Sequence, residues 1–229
     1  MLVLGLETAT PQGSVALLDG AGLRGESCSA ERQGHSRTLL PRLEALLEQC
    51  GVEYADLDGL AVSAGPGSFT GLRVGLSAAK GLALGLDLPL VAVPTLDALA
   101  ASAGSEAGLL WALLDARRGQ VYAARFEHGT RVEGPEAIDP EALAARIAAG
   151  SGGSPLLLGT GAARYRSELE ASLGERARFA PAELDLPRAA FVARLGRARL
   201  LAGERDDPET LEPLYVRGAD VRKGEASPE

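Results

Sequence analysis

The chain runs twice through one succession of elements, and this repetition restricts its folds more than any other feature. In the first pass, "LVLGL" at 2–6 is an apolar run ending at Glu7 and reads as a buried strand. "TPQG" at 10–13 is a turn, "SVALLD" at 14–19 a second strand and "GLRGESCSA" at 22–30 a third. Leu39, Leu43, Leu46 and Cys50 recur at helical spacing over 36–50, with Ser36 as N-cap, Pro41 within the first turn or so and Gly51 as stop. Strand 57–65, helix 68–86 and strand 89–93 complete the order βββαβαβ. The second pass has strands at 108–116, 119–127 and 130–134, then helix 139–150, strand 155–159, helix 162–174 and strand 177–180. Asp139 as N-cap, Pro140 at the first position and Gly150 as stop bound its first helix. A final helix at 187–202 is appended, with Phe191, Leu195, Ala198 and Ala202 as its expected apolar stripe. This order predicts an α/β fold of two duplicated βββαβαβ lobes facing across a cleft. Lobe I takes residues 1–102 and 187–229, and lobe II takes 103–186. The first hairpin turn of each lobe, "ETATPQGS" and "DARRGQ", is expected to point into the cleft, the natural ligand site.

Within the first lobe, "AGPGSFTGLRVGLSAAKGLALGL" at 64–86 carries Gly71, Gly75, Gly81 and Gly85 inside a predicted helix. Each costs on the order of 1 kcal/mol relative to alanine. The opening turn is not a P-loop, because Leu72 and Arg73 follow its last glycine, and its glycine spacing is not GxGxxG. Anion binding at the helix start remains open. Gly67, Gly71, Gly75, Ala79 and Ala83 fall at steps of four and form a smooth ridge, which predicts unusually close approach by another helix. Arg73, Ser77 and Lys80 mark the polar face, and Leu72, Leu76 and Leu82 supply apolar bulk.

Charge and composition narrow the chemistry. With a formal charge of −8, the chain as a whole is not an electrostatic nucleic-acid binder. Arg188, Arg194, Arg197 and Arg199 nonetheless make the last helix basic, either as a solvated face or as a contact for RNA or an acidic partner. Cys28 and Cys50 show no metal or disulfide spacing and fit small buried thiols in a reducing cytosol. The start of the chain reads as neither signal peptide nor membrane span, so a cytoplasmic location with no membrane contact is expected. His35 and His128 are far apart in sequence and near no ligand cluster, so no metal site is expected. No nucleophile with its base can be assembled, since Ser63 lies outside any GxSxG pattern, and His35 is open as a base or as a capping residue. Thr8, Thr10 and Ser14 offer hydroxyls to a phosphate, or serve ordinary turn chemistry.

Residues 64–100, "AGPGSFTGLRVGLSAAKGLALGLDLPLVAVPTLDALA", resemble the TsaB family, the small relatives of the glycoprotease-like protein TsaD. The segments "LGLETATPQGSVALLDG", "RQGHSRTLLPRLEALL" at 32–47, "LLDARRGQVYAARF", "LGTGAARY" and "PLYVRGADV" at 213–221 are similar to family segments too. The resemblance implies an actin-like, sugar-kinase-like fold (ribonuclease H-like lobes). It also implies a role in making N6-threonylcarbamoyladenosine beside the anticodon of tRNAs that read ANN codons. In that scheme a TsaD-like subunit is catalytic, a TsaE-like ATPase joins, tRNA is met through the complex, and the isolated chain forms a homodimer. TsaD carries an N-H-x-E-G-H metal motif after the strand that follows the glycine-rich helix. Thr95 and Leu99 stand here where its two histidines would be, which implies a non-catalytic chain. The nucleotide apparatus is eroded likewise. Glu7 replaces the usual aspartate, and Arg117 and Arg118 occupy the second hairpin turn. "GTGA" resembles an adenosine motif, so weak ATP or ADP binding involving Thr8, Thr10, Gly159 and Gly161 stays open, with no cofactor required. The family pairs through its first two helices, which makes Leu39, Leu43, Leu46, Leu72, Leu76, Ala79 and Ala83 the candidate interface residues. A stand-alone actin-like ATPase or small-molecule kinase is the alternative, and a peptidase a further one.

Overall fold

A computed structural model describes residues 1–28, 34–150 and 153–216 of the protein. The end of the predicted 22–30 strand, the start of the 32–47 segment and the predicted tail beyond 216 lie outside the described residues.

Alternating and continuous apolar runs produce two five-stranded mixed sheets. The first has the order β3-β2-β1-β4-β5, built from β1 (Val3–Glu7), β2 (Ser14–Asp19), β3 (Gly22–Cys28), β4 (Gly59–Gly65) and β5 (Leu90–Pro94). β1 pairs antiparallel with β2 and parallel with β4, so both hairpin and crossover connections meet at the central strand. Every residue of β1 and β4 is buried, as expected for strands covered on both faces. The second sheet repeats the pattern as β10-β9-β6-β7-β8, from β6 (Leu109–Arg117), β7 (Gln120–Glu127), β8 (Thr130–Ile138), β9 (Leu156–Leu158) and β10 (Arg178–Phe179). The expected element duplication is therefore a duplication of sheet topology as well.

Seven α-helices surround the sheets among the described residues: α1 (His35–Cys50), α2 (Phe69–Leu86), α3 (Thr95–Ala101), α4 (Pro140–Ala149), α5 (Thr160–Arg164), α6 (Arg166–Leu173) and α7 (Ala189–Leu201). Capping follows the sequence at three ends. The Ser68 hydroxyl accepts from the Gly71 amide at 3.3 Å, the Asp139 carboxylate accepts from the Glu141 amide at 2.9 Å, and Gly51 ends α1 at φ 62°. Elsewhere the structure corrects the reading. Gly34, at φ 102°, rather than Ser36, precedes α1. Pro41 is the seventh residue of α1, in its second turn, so the Arg37 carbonyl has no N–H to receive there. The predicted helix 162–174 breaks at Tyr165 into α5 and α6. α3 was not anticipated as an element. It joins the two halves, because Leu96, Leu99 and Ala100 share an apolar cluster with Leu110, Phe126 and Leu158 of the second sheet.

α7 buries Ala189, Val192, Ala193, Gly196 and Leu200, whereas Ala198 and Ala202 of the expected stripe are exposed. The reason is the closeness of its seat on the first sheet. A Cβ at Gly196 would lie 2.2 Å from the Ala61 Cβ, and one at Gly5 would lie 2.5 Å from the Ala189 carbonyl oxygen. Ala189, Ala193 and Gly196 meet the sheet at these close points, where a larger side chain would collide, while Val192 and Leu200 pack beside them.

The glycine ridge of α2 is corrected in the same sense. Its neighbour is the turn after β1 and not another helix. A Cβ at Gly67 would stand 2.5 Å from the Ala9 carbonyl oxygen, at Gly71 2.0 Å from the Thr8 carbonyl oxygen and at Gly75 2.2 Å from Thr8 Oγ1. At Gly81 and Gly85 a Cβ would meet nothing within 4 Å among the described residues. The two sets should respond oppositely to alanine. In urea unfolding, Gly71→Ala or Gly75→Ala should destabilise the chain by about 2 kcal/mol or more, because a backbone carbonyl or packed threonine must move. Gly81→Ala and Gly85→Ala should stabilise it by about 0.5–1 kcal/mol. Equal responses at all four positions would contradict this division.

Candidate functional site

The first hairpin turn is the most tightly organised polar region. β1 delivers Glu7, and α2 then closes over Thr8 and Ala9. Thr8 Oγ1 donates to the Gly71 carbonyl at 2.8 Å, the Ser68 amide donates to the Ala9 carbonyl at 2.7 Å, and the Thr8 amide donates to Ser63 Oγ at 3.4 Å. Thr10 Oγ1 donates to the Gln12 carbonyl at 2.8 Å. His35 Nε2 donates to the Thr10 carbonyl at 2.8 Å, so this histidine straps the turn to α1. The turn expected to face an open cleft is thus buried beneath α2, with Thr8, Ala9 and Thr10 almost wholly enclosed. Ser14 is likewise committed, its hydroxyl accepting from the Ala189 amide at 2.9 Å.

Glu7 is the feature that sequence reasoning undervalued. Its side chain is fully buried, and Oε1 accepts from the Ala9 amide at 2.5 Å. Oε2 has no hydrogen-bond partner among the described residues. Burial raises the carboxyl pKa from 4.5 to about 7, against the opposing pull of the Ser63 hydroxyl and the Ala9 and Thr10 amides. An apolar run ending in a lone acidic residue was the available signal.

The remaining nucleotide candidates serve packing. A Cβ on Gly159, at φ 104°, would lie 2.2 Å from the Leu113 carbonyl oxygen, and one on Gly161 would lie 3.0 Å from the Leu113 carbonyl carbon. Both let α5 rest on β6. Thr160 Oγ1 accepts from the Asp115 amide at 3.1 Å, and Asp185 accepts from the Gly159 amide at 3.3 Å. The second hairpin turns through Arg117, Arg118 and Gly119, all at positive φ. Its Asp115 pairs with Arg164 at 3.1 Å. The structure therefore does not bring Thr8 and Thr10 together with Gly159 and Gly161 as free ligand donors.

The positions matching the metal-binding histidines do not fit a metal. Thr95 is fully buried and accepts from the Gly65 amide at 3.1 Å, and Leu99 is fully buried in the apolar cluster that links the halves. Among the described residues no three His, Cys, Asp or Glu groups converge in a metal-binding arrangement. Nor is any helix among them long and apolar enough to cross a membrane.

The seven expected interface residues, Leu39, Leu43, Leu46, Leu72, Leu76, Ala79 and Ala83, are all buried within the chain at 5% exposure or less. The helix faces that meet solvent carry other residues. Leu40 is 48% exposed, Phe69 43% and Leu84 63%. An open groove of about 590 Å³ lies between the N-terminal halves of α1 and α2, walled by Leu40, Phe69, Arg73 and Val74. The Arg73 guanidinium stacks 3.9 Å from the Phe69 ring centre, and its Nε donates to the Tyr215 hydroxyl at 3.3 Å. On α7, Arg188 pairs with Glu26 and Arg199 with Glu204 and Asp206, while Arg197 donates to the Met1 carbonyl at 3.2 Å. Three of the four arginines at 188–199, the N-cap Arg188 included, are therefore engaged within the chain.

Two sheets of repeated topology joined through α3 define an actin-like fold in which the first hairpin turn is packed beneath α2. Residues 28–216 match the family model described as "TsaD: tRNA N6-adenosine threonylcarbamoyltransferase". The chain is 32% identical over 230 residues to the tRNA threonylcarbamoyladenosine biosynthesis protein TsaB of Escherichia coli, covering 95% of each chain. It is 30% identical to the protein of the same name from Bacillus subtilis, covering 96% of each. Its structure superposes on YeaZ from Pseudomonas aeruginosa with a TM-score of 0.78 and 29% identity, covering 93% of this chain and 99% of that one. The chain belongs to the TsaB family.

Glu7 makes stability depend on pH. Its folded pKa, about 7, exceeds the unfolded value of 4.5, so the folded state binds the extra proton between those values. The stabilisation is complete below pH 4.5 and is lost as pH rises through about 7. The change is on the order of 3 kcal/mol. Glu7→Gln should flatten the unfolding free energy between pH 5 and pH 8, raising stability most at pH 8. Denaturant titrations at both pH values check this, and an unchanged slope would assign the pH dependence elsewhere.

Proposed function

We propose that this chain is a non-catalytic partner in the formation of N6-threonylcarbamoyladenosine in tRNA. It docks a TsaD-like catalytic subunit through the outward faces of α1 and α2. A TsaE-like ATPase and the tRNA are met within that assembly, in the cytoplasm, and the same faces pair two copies when the chain is alone. No cofactor of its own is required, since Thr8, Thr10, Gly159 and Gly161 are occupied in packing.

One observation carries the docking reading. Gly81 and Gly85 weaken α2, yet nothing among the described residues comes close enough to need them. They lie on the same side of the helix as exposed Ser77 and Leu84, and exposed Leu40 stands across the groove on α1. A small-residue track beside exposed apolar side chains suits a helix from another subunit, which can approach closely over the glycines and bury the leucines.

Light scattering after gel filtration tests this on the purified chain mixed with the TsaD-like protein of the same organism. A one-to-one complex is expected. Leu40→Arg, Leu84→Arg and Gly81→Leu should each weaken it at least tenfold, about 1.4 kcal/mol, without unfolding the chain. No association at micromolar concentration, or complexes indifferent to all three changes, would overturn the reading. Robust ATP turnover by the chain alone would restore the ATPase alternative.

A further inference from the structure

A second groove, of about 850 Å³, opens at the opposite end of the helix pair, where α1 and α2 both terminate. Its floor is apolar. Leu47 and Leu57 are buried, and Val52, Tyr54 and Leu88 are half-buried. Its rim is acidic, formed by exposed Glu44, Glu48 and Glu53. Glu53 caps the short 3-10 turn Tyr54–Asp56, while Glu44 and Glu48 form no ion pair among the described residues. Burial and the neighbouring Glu44 both push the Tyr54 hydroxyl pKa up, in line with a negative local field.

The helix ends add to that field. The last turn of α1 holds Glu48 and no basic residue, and the last turn of α2 holds no basic residue either. A helix C-terminus carries about half a negative charge and favours cations, so acidic side chains there are unfavourable within the isolated chain. Asp87, the C-cap of α2, is a third negative element at the same end. Two carbonyl-rich helix ends, a carboxylate rim and an apolar floor therefore converge on one groove, and among the described residues that line it there is no cation.

We infer that this groove is a docking site for an amphipathic protein helix whose apolar face is flanked by lysine or arginine. The apolar floor takes the leucine-like face, and the rim takes the cations. Charge complementarity selects this occupant, because an acidic or purely polar segment would meet repulsion at Glu44 and Glu48, and a small cation would leave the floor uncovered. The groove adjoins the docking face proposed above, whose Leu84 and Gly85 stand beside its Leu86, whereas Leu40 of that face lies at the opposite end of α1.

The probe is a synthetic 14-residue helix of leucine and lysine at helical spacing, with a leucine–glutamate counterpart as control. Calorimetric titration of the full chain should show the cationic helix binding at least tenfold more tightly than the acidic one. Amide NMR shifts should change at Val52, Tyr54, Leu86 and Leu88. Glu44→Lys with Glu48→Lys should weaken the cationic helix at least tenfold and improve the acidic one. Leu40→Arg, which is expected to lose subunit docking and lies at the opposite end of α1, should leave peptide binding intact. Four results would each overturn the inference: no binding, binding unchanged in the double variant, shifts confined to other surfaces, or spermidine competing as well as the helix. A self-association that covers these residues and excludes the peptide would assign the groove to a second copy and overturn it as well.

Discussion

The contact on which the rest of the first lobe depends is the seat of α2 on the turn after β1. Three glycines at steps of four bring the helix backbone onto Thr8 and Ala9 at distances no side chain permits. Two hydrogen bonds close the contact, from Thr8 Oγ1 to the Gly71 carbonyl and from the Ser68 amide to the Ala9 carbonyl. The consequences run outward. Thr8, Ala9 and Thr10 are withdrawn from solvent, Glu7 is sealed away from water, and the orientation of α2 is fixed. Once its glycine edge faces the turn, its Leu72, Leu76, Ala79 and Ala83 sides must face the core, and its Ser77, Gly81 and Leu84 side must face outward.

The same use of small residues recurs where α7 lies on the first sheet. Gly5, Gly59 and Gly196 each sit where a Cβ would collide with the opposing layer. Polar anchors then fasten the segment that follows. Arg199 reaches the Ala92 carbonyl and Asp206, Asp206 accepts from the Ala92 amide at 2.6 Å, and the Leu214 amide donates to the Ala64 carbonyl at 2.7 Å. The chain thereby returns to the start of α2, where Tyr215 stacks on Phe69 with ring centres 5.4 Å apart. Close helix-on-sheet packing and this returning strap hold the outer face of the lobe from two sides.

How much of this the sequence revealed depends on the kind of information each residue carries. Element order was readable because buried strands leave apolar runs, as in Val3–Glu7 and Gly59–Gly65, and caps such as Asp139 and Gly51 announce themselves chemically. Periodicity says which face of a helix is small or apolar, but not what it meets. The glycine ridge of α2 predicts close approach correctly and misassigns the neighbour, since a hairpin carbonyl and a second helix ask for the same absence of side chain. The stripe of α7 fails in part for a related reason: Ala189, Ala193 and Gly196 take the closest contact, Phe191 and Leu195 flank it half-buried, and Ala198 and Ala202 face solvent. Candidate site residues were harder still. The polar groups of Thr8, Thr10 and Ser14 look like ligand donors in sequence, and their partners, Gly71, Gln12 and Ala189, become visible only in three dimensions.

The outward face that this architecture creates is electrically lopsided. Its N-terminal end carries exposed Arg37 and Arg73 beside two helix starts, and its C-terminal end carries Glu44, Glu48 and Glu53 beside two helix finishes. Side-chain charge and backbone dipole point the same way, whereas an isolated helix pair gains stability from the opposite arrangement. A surface built against its own helix dipoles discriminates between the two orientations of a docked helix, because a partner that matches both ends in one orientation is repelled at both ends in the other. Such complementarity governs orientation and encounter more than binding strength. The apolar residues between the ends, Leu40 on α1 and Leu84 on α2, then supply the area that holds the partner once it is aligned.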